Sequence, residues 1–231
     1  PQEALSVPSQ QIARVYNQNR DVMTEEEVKA VECFYQKELF EMYLPKLADY
    51  TKGGLNRTYF EEHVKEYIQL WLSLGVKAPD EYINSFLVNN YGFWYPYASL
   101  DGYRGYVGMQ GTVLENAEVF YFAYVTEEPG ERISLIPFID RAFFALSTMN
   151  LHKKLPVVSL LFSPGFMFWI MIITIAYTLY KKRYELMPMF ILMSLVWLTV
   201  LLGPIALVRY VLFLFFAFPL MLSALFKREI V

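Results

Sequence analysis

"SPGFMFWIMIITIAYTLY" (Ser163–Tyr180) decides how this chain is read, because it carries no charged side chain from end to end. Ser163 followed by Pro164 has the form of a helix N-cap and first helical residue. A helix is therefore expected from Ser163 to Tyr180, about 18 residues, which is just long enough to cross a bilayer's hydrocarbon core. Two further apolar stretches follow, about 186–202 and about 211–226. None of the three has the polar stripe of a soluble amphipathic helix. Three membrane spans are expected, at about 163–180, 186–202 and 211–226.

The charge distribution agrees with that division. The 231 residues are 55% hydrophobic and 19% charged, against about 45–50% and about 25% for an ordinary soluble domain. Residues 1–155 hold 14 Lys+Arg and 21 Asp+Glu, a net of −7, whereas residues 156–231 hold 6 and 2, a net of +4. The expected fold class is mainly α: a helical extracytoplasmic domain, 1–155, followed by a membrane domain, 156–231. The basic runs "KKRYE" (Lys181–Glu185) and "KREIV" (Lys227–Val231) mark the cytoplasmic side. The Gly203–Tyr210 connection and everything before the first span then lie outside. The chain opens at Pro1 without a signal segment, so it is expected to be the C-terminal piece of a multi-pass protein, with upstream membrane segments as partners.

The outer part reads as a series of helices. Ser9–Gln18 follows Pro8. Thr24–Leu39 opens on Thr24 and Glu27, the capping-box spacing, with Val28, Val31, Phe34 and Tyr35 on one stripe. Asn56 or Thr58 begins a helix through Leu74, closed by Gly75 as its C′ residue. Pro79–Gly92 is another helix. From Phe93 to Gly111 the chain is expected to be irregular. Ala117–Val125 fits a strand or an interfacial segment, and Ser134–Asn150 is a helix apolar enough to lie on the membrane or the spans. "PVVSLLF" (Pro156–Phe162) is an interfacial lead-in to the first span.

Familiar soluble-enzyme motifs are absent: no phosphate-binding P-loop, GxSxG or HExxH. The single cysteine, Cys33, allows no internal disulfide and is expected in the core beside Phe34. His63 reads as a solvated surface residue and His152 as an outer-interface residue in contact with headgroups. No metal, cofactor or nucleic-acid partner is expected; membrane lipid is. Asn56-Arg57-Thr58 is a glycosylation sequon, relevant only in a eukaryotic cell.

The segment 91–108 concentrates aromatics at 91, 93, 94, 95, 97, 103 and 106, with Asp101 and Arg104 among them. Two readings stay open. Rings beside a carboxylate and a guanidinium suit sugar or acceptor binding, with Trp94, Tyr95, Tyr97 and Arg104 as candidates and Asp101 as a weak acid/base candidate. The same composition suits a belt at headgroup level. Arg209 also has two readings. Near the outer end of the third span it is either a snorkelling anchor or a fixed cation that holds a phosphate in bidentate fashion.

The stretches "EALSVPSQQIARVY" (Glu3–Tyr16), "NNYGFWYP" (Asn89–Pro96), "LFSPGFMFW" (Leu161–Trp169) and "GPIALVRYVLFLFFAFP" (Gly203–Pro219) carry a resemblance. The chain resembles an uncharacterised family of bacterial multi-pass membrane proteins related to the GT-C glycosyltransferases. That resemblance implies transfer of a sugar from a polyprenyl-phosphate carrier at the outer face of the plasma membrane. It implies a catalytic aspartate in an upstream loop, beyond this chain, and carrier-phosphate binding by Arg209 with Tyr210. The alternative is a non-enzymatic envelope protein, either an assembly subunit or a lipid-glycan carrier.

Overall fold

A computed structural model describes residues 2–98, 100–103, 117–119, 133–148 and 151–226. The fold is mainly helical. Packing divides it into two units: Pro1–Tyr91 with Leu202–Ile205, and Gly92–Leu201 with Ala206–Val231. The charge step at 155 and the packing division at Tyr91 are thus different boundaries.

The first unit holds α1 (Ser6–Gln18), α2 (Glu25–Phe34), α3 (Lys37–Glu41), α4 (Asp49–Gly53), α5 (Arg57–Glu62), α6 (Val64–Lys77) and α7 (Pro79–Asn89). The central helix is α1, packed against α4, α6 and α7. Its Ile12, Ala13, Val15 and Tyr16 join Phe34, Phe40, Tyr67 and Leu74 in one core. Rings meet edge to face, Tyr16 with Phe40 and Phe34 with Tyr67, the geometry their quadrupoles favour.

That core is unusually polar on the α1 side. Ser6, Ser9, Gln10 and Gln11 are all buried. Each glutamine is satisfied at both ends of its amide. Gln10 donates to the Leu44 carbonyl at 2.5 Å and accepts from Thr51 Oγ1 at 2.9 Å. Gln11 donates to the Tyr82 carbonyl at 3.2 Å and accepts from Trp71 Nε1 at 2.9 Å. Ser9, Tyr35 and Tyr67 form a hydroxyl chain of 2.8 and 2.7 Å. Burial pushes both tyrosine hydroxyls above their ordinary range, so they stay protonated. A buried amide left unpaired is expensive, and complete pairing specifies which helices meet.

The Thr24–Glu27 capping box is present in full. Several boundaries differ from expectation. The Thr24–Leu39 helix breaks at Tyr35, which is extended and bridges to Leu55, and resumes as α3. The Asn56–Leu74 helix breaks at His63. There the imidazole stacks on Tyr59 at 4.1 Å, so His63 is a joint between α5 and α6 rather than a freely solvated side chain. Gly75 does not end α6, which continues to Lys77. A Cβ at Gly75 would stand 3.0 Å from Cε1 of Tyr82, so the glycine admits the ring of the next helix. Cys33 is exposed, because the helix turns Val31 and Phe34 inward and their neighbour outward.

Residues 202–205 belong to the first unit through two hydrogen bonds. The Ala48 amide donates to the Pro204 carbonyl at 2.8 Å, and Asn89 Nδ2 to the Gly203 carbonyl at 3.1 Å.

The second unit holds strands β1 (Leu100–Tyr103) and β2 (Ala117–Val119), then α8 (Pro137–Thr148), α9 (Leu151–Lys154), α10 (Pro156–Leu160), α11 (Pro164–Tyr180), α12 (Met187–Val200) and α13 (Leu212–Phe226). The strands pair antiparallel, Leu100 with Val119 and Tyr103 with Ala117. The segment expected to be irregular from Phe93 onward therefore contains a strand, and the helix expected to reach Gly92 ends at Asn89 and is followed by a 3-10 turn at Tyr91–Phe93. Residues 120–125 and the Lys227–Val231 tail lie outside the described residues, and so does the side chain of His152.

Ser163 caps α11 as expected, its Oγ accepting from the Phe166 amide at 3.3 Å. At the other end α11 closes in a Schellman motif. Lys182 takes a left-handed φ of 56°, and the amides of Lys182 and Arg183 donate to Leu179 and Thr178. The Arg183 side chain then donates to the Ala224 carbonyl in the last turn of α13 at 2.7 Å. The C-terminal ends of α11 and α13 thus lie together. The two helices run in the same direction and pack directly on each other, and α12, which joins them in the chain, runs back the other way.

With its leading 3-10 turn, α13 spans Val208–Phe226, 19 residues with a mean hydropathy of 2.0. It is long and apolar enough to cross a membrane, and only 28% of its most apolar window is buried, unlike a soluble core helix. The helices α11 and α12 are shorter and also apolar. The outward faces carry Ile173, Leu195 and Phe216, while Thr174 and Thr178 are buried inside. An exterior as greasy as the interior is what an apolar solvent selects, and small or hydroxyl side chains suit the contacts between such helices.

Candidate functional site

The N-terminal ends of α11 and α13 and the C-terminal end of α12 share one end of the second unit, and most of the candidate residues stand there. Gly165, in the first turn of α11, lies against the backbone of the aromatic segment. A Cβ at Gly165 would be 2.7 Å from the Tyr95 carbonyl carbon and 2.9 Å from that of Trp94. One turn on, Trp169 Nε1 donates to the Trp94 carbonyl at 2.8 Å. This pair of contacts seats Trp94 and Tyr95 on the start of α11. Tyr95 and Tyr97 meet edge to ring at 6.4 Å, and both side chains are exposed.

Phe168 stacks on Trp197, in the last turn of α12, at 4.5 Å and 20°. The Trp197 indole N–H is shielded from solvent and has no partner among the described residues. Three of the chain's four tryptophans therefore collect at this end.

Arg209 and Tyr210 lie in the 3-10 turn Val208–Val211 that opens α13. Arg209 is exposed, and its Nη2 donates to the Tyr210 hydroxyl at 2.9 Å. The guanidinium carbon stands 4.9 Å from the centre of the same ring, within cation–π range. One aromatic side chain thus braces the cation from its face and from its hydroxyl. The partial positive charge of a helix N-terminus adds to that of the guanidinium. The arrangement can hold an oxyanion; it supplies neither a nucleophile nor a general base.

The aromatic candidates therefore gather on α11, and the Arg209–Tyr210 pair gathers at the entry to α13. The backbone of Asp101 is in β1; Arg104 lies outside the described residues. Among the described residues no group of three His, Cys, Asp or Glu could share a metal ion. Trp197 and Arg183 were not singled out in the sequence. A tryptophan among leucines reads only as apolar, and an arginine in a basic turn reads only as a topology signal.

A profile described as a family of unknown function (DUF6020) matches residues 1–229. The chain belongs to the DUF6020 family. That match runs through both units, so the helical domain and the apolar helices are parts of one family sequence. No curated protein and no solved structure matches the chain.

Proposed function

We propose that this DUF6020 chain is the C-terminal part of a GT-C-like membrane glycosyltransferase. It takes a sugar from a polyprenyl-phosphate carrier at the outer face of a bacterial plasma membrane, and its catalytic base comes from upstream sequence. The helices α11, α12 and α13 are three spans. The Lys181–Glu185 turn is cytoplasmic; residues 1–155 and the Gly203–Tyr210 connection are extracytoplasmic. The hydrogen bonds that bring 202–205 into the first unit support that sidedness, since connection and domain must share a side.

The observation that carries the reading is the braced Arg209 at the opening of α13. A planar guanidinium fixed by its neighbour is pre-organised for bidentate contact with a phosphate. At the same end, exposed Tyr95 and Tyr97 offer flat faces for a sugar. In such a transfer the fixed cation stabilises charge developing on the departing phosphate.

The test is binding of polyprenyl phosphate to the protein in nanodiscs. Arg209→Ala and Arg209→Lys should each weaken it by about tenfold or more, since a lysine cannot make the fork. Wild-type affinity in Arg209→Ala would remove the reading. The alternative, a non-enzymatic envelope protein with Arg209 as an anchor, rests on the exposure of Arg209. It requires Arg209→Lys to keep function.

A further inference from the structure

Residues 133–148 and 151–161 hold α8, α9 and α10, and their outward surface is strongly apolar. Leu135 is 95% exposed, Ile133 80%, Val157 75% and Phe138 68%. These are not scattered single residues. Ile133, Leu135 and Ile136 line a groove of about 430 Å³ with Ile139, Asp140 and Phe143. The inner side is packed: Phe143 meets Phe162 edge to face at 5.4 Å, and Leu146 is buried. The segment is thus folded on itself and presents grease outward. A contiguous apolar patch of this kind is not tolerated in water unless something covers it.

We infer that 133–148 together with 151–161 is an in-plane foot whose Ile133–Phe138 edge and Val157 insert into the headgroup–acyl boundary of an anionic bilayer. Two observations select lipid over a protein partner. The first is continuity: α10 ends at Leu160 and α11 begins at Pro164, so Val157 and Val158 stand within about two turns of the span's outer end. The second is charge. Arg141, Lys153 and Lys154 face a single acid, Asp140, in this segment. Arg141 lies one turn from Phe138 on the outward face of α8, and its Nε donates to the Pro137 carbonyl at 3.3 Å. Phe138 can enter the acyl region while the guanidinium stays at phosphate level. An apolar edge flanked by basic residues is the composition of an interfacial helix, which sits about 5–10 Å into the boundary.

The proposal rests on α11–α13 being membrane spans, and the test separates the two. In a Cys33→Ser background, single cysteines at Leu135, Val157 and Phe216 carry an environment-sensitive dye, one per protein. The protein is held in nanodiscs of phosphatidylethanolamine and phosphatidylglycerol. Phe216 lies on the outward face of α13 and reports the span. Shallow-nitroxide lipid should strongly quench dye at Leu135 and Val157, and deep-nitroxide lipid should quench dye at Phe216. With Phe216 quenched, iodide access at Leu135 or shielding from both nitroxides overturns the foot alone; shielding would mean a protein partner. An unquenched Phe216 overturns the span reading and the foot with it. Lys153→Glu with Lys154→Glu should reduce quenching at Val157 in the anionic nanodiscs and leave it unchanged in phosphatidylcholine. Equal quenching in the anionic discs overturns the headgroup contact.

Discussion

Arg183 donates from Nη1 to the Ala224 carbonyl at 2.7 Å, so one side chain in the turn after α11 closes the last turn of α13. Its own amide closes α11 through Thr178. Orphan carbonyls at helix ends need partners, and here one residue serves two helices. Arg183→Ala should lower stability by about 1.5–3 kcal/mol, the usual worth of a charge-assisted hydrogen bond. Thermal unfolding in nanodiscs measures it; an unchanged midpoint removes the tie.

Lys182 beside it holds a left-handed φ that costs an L-residue roughly 1–2 kcal/mol and glycine almost nothing. Lys182→Gly should therefore raise the same midpoint slightly, since part of the gain goes to the looser unfolded chain. A clear loss would mean that the lysine side chain outweighs the strain.

Gly165→Ala puts a methyl group 2.7 Å from the Tyr95 carbonyl carbon. Backbone cannot yield as a flexible side chain can, so the aromatic segment must lift. The expected cost is about 1–3 kcal/mol, together with loss of the Trp169–Trp94 bond. A shift in tryptophan emission relative to wild type would report it, and an unchanged spectrum and midpoint would refute the seat.

The Glu27 carboxyl carries a pH dependence. Burial alone would raise it, but Lys77, the Thr24 amide and Ser73 outweigh burial and bring it below its ordinary 4.5. A depressed carboxyl contributes stability that is present above the unfolded value. That contribution fades as pH falls below about 4.5 toward the folded value. Glu27→Gln should flatten this acid limb and lose stability at neutral pH. Denaturant titrations at pH 7 and pH 3.5 would show whether the gap between variant and wild type narrows.

Much of this architecture was legible because the signals were local. Ser163-Pro164 announces a helix start by its own chemistry, and the Thr24–Glu27 spacing does the same. Uniformly apolar composition gives the three long helices without any partner being known. What could not be read depends on pairing across the fold. Gln10 and Gln11 are polar residues, and only their four partners make them core. Gly75 looks like a stop and is a notch for Tyr82. In the candidate site Arg209 stood out as a charge in a greasy tail. The Tyr210 brace follows from the tightness of a 3-10 turn, and sequence spacing does not fix that.

The bonds from Ala48 and Asn89 to Pro204 and Gly203 have a consequence for biogenesis. The Asn89–Gly203 bond closes across 114 positions, so the first unit cannot acquire its last two carbonyl acceptors until α12 has been made. Much of its core can condense early, but its final closure waits until the chain has run through α11 and α12. Asn89→Ala should then act late: it leaves the early core intact, costs about 1–3 kcal/mol, and speeds deuterium uptake at the Ala48 amide. In this protein the completion of the first unit is a report that the chain has been made through α12.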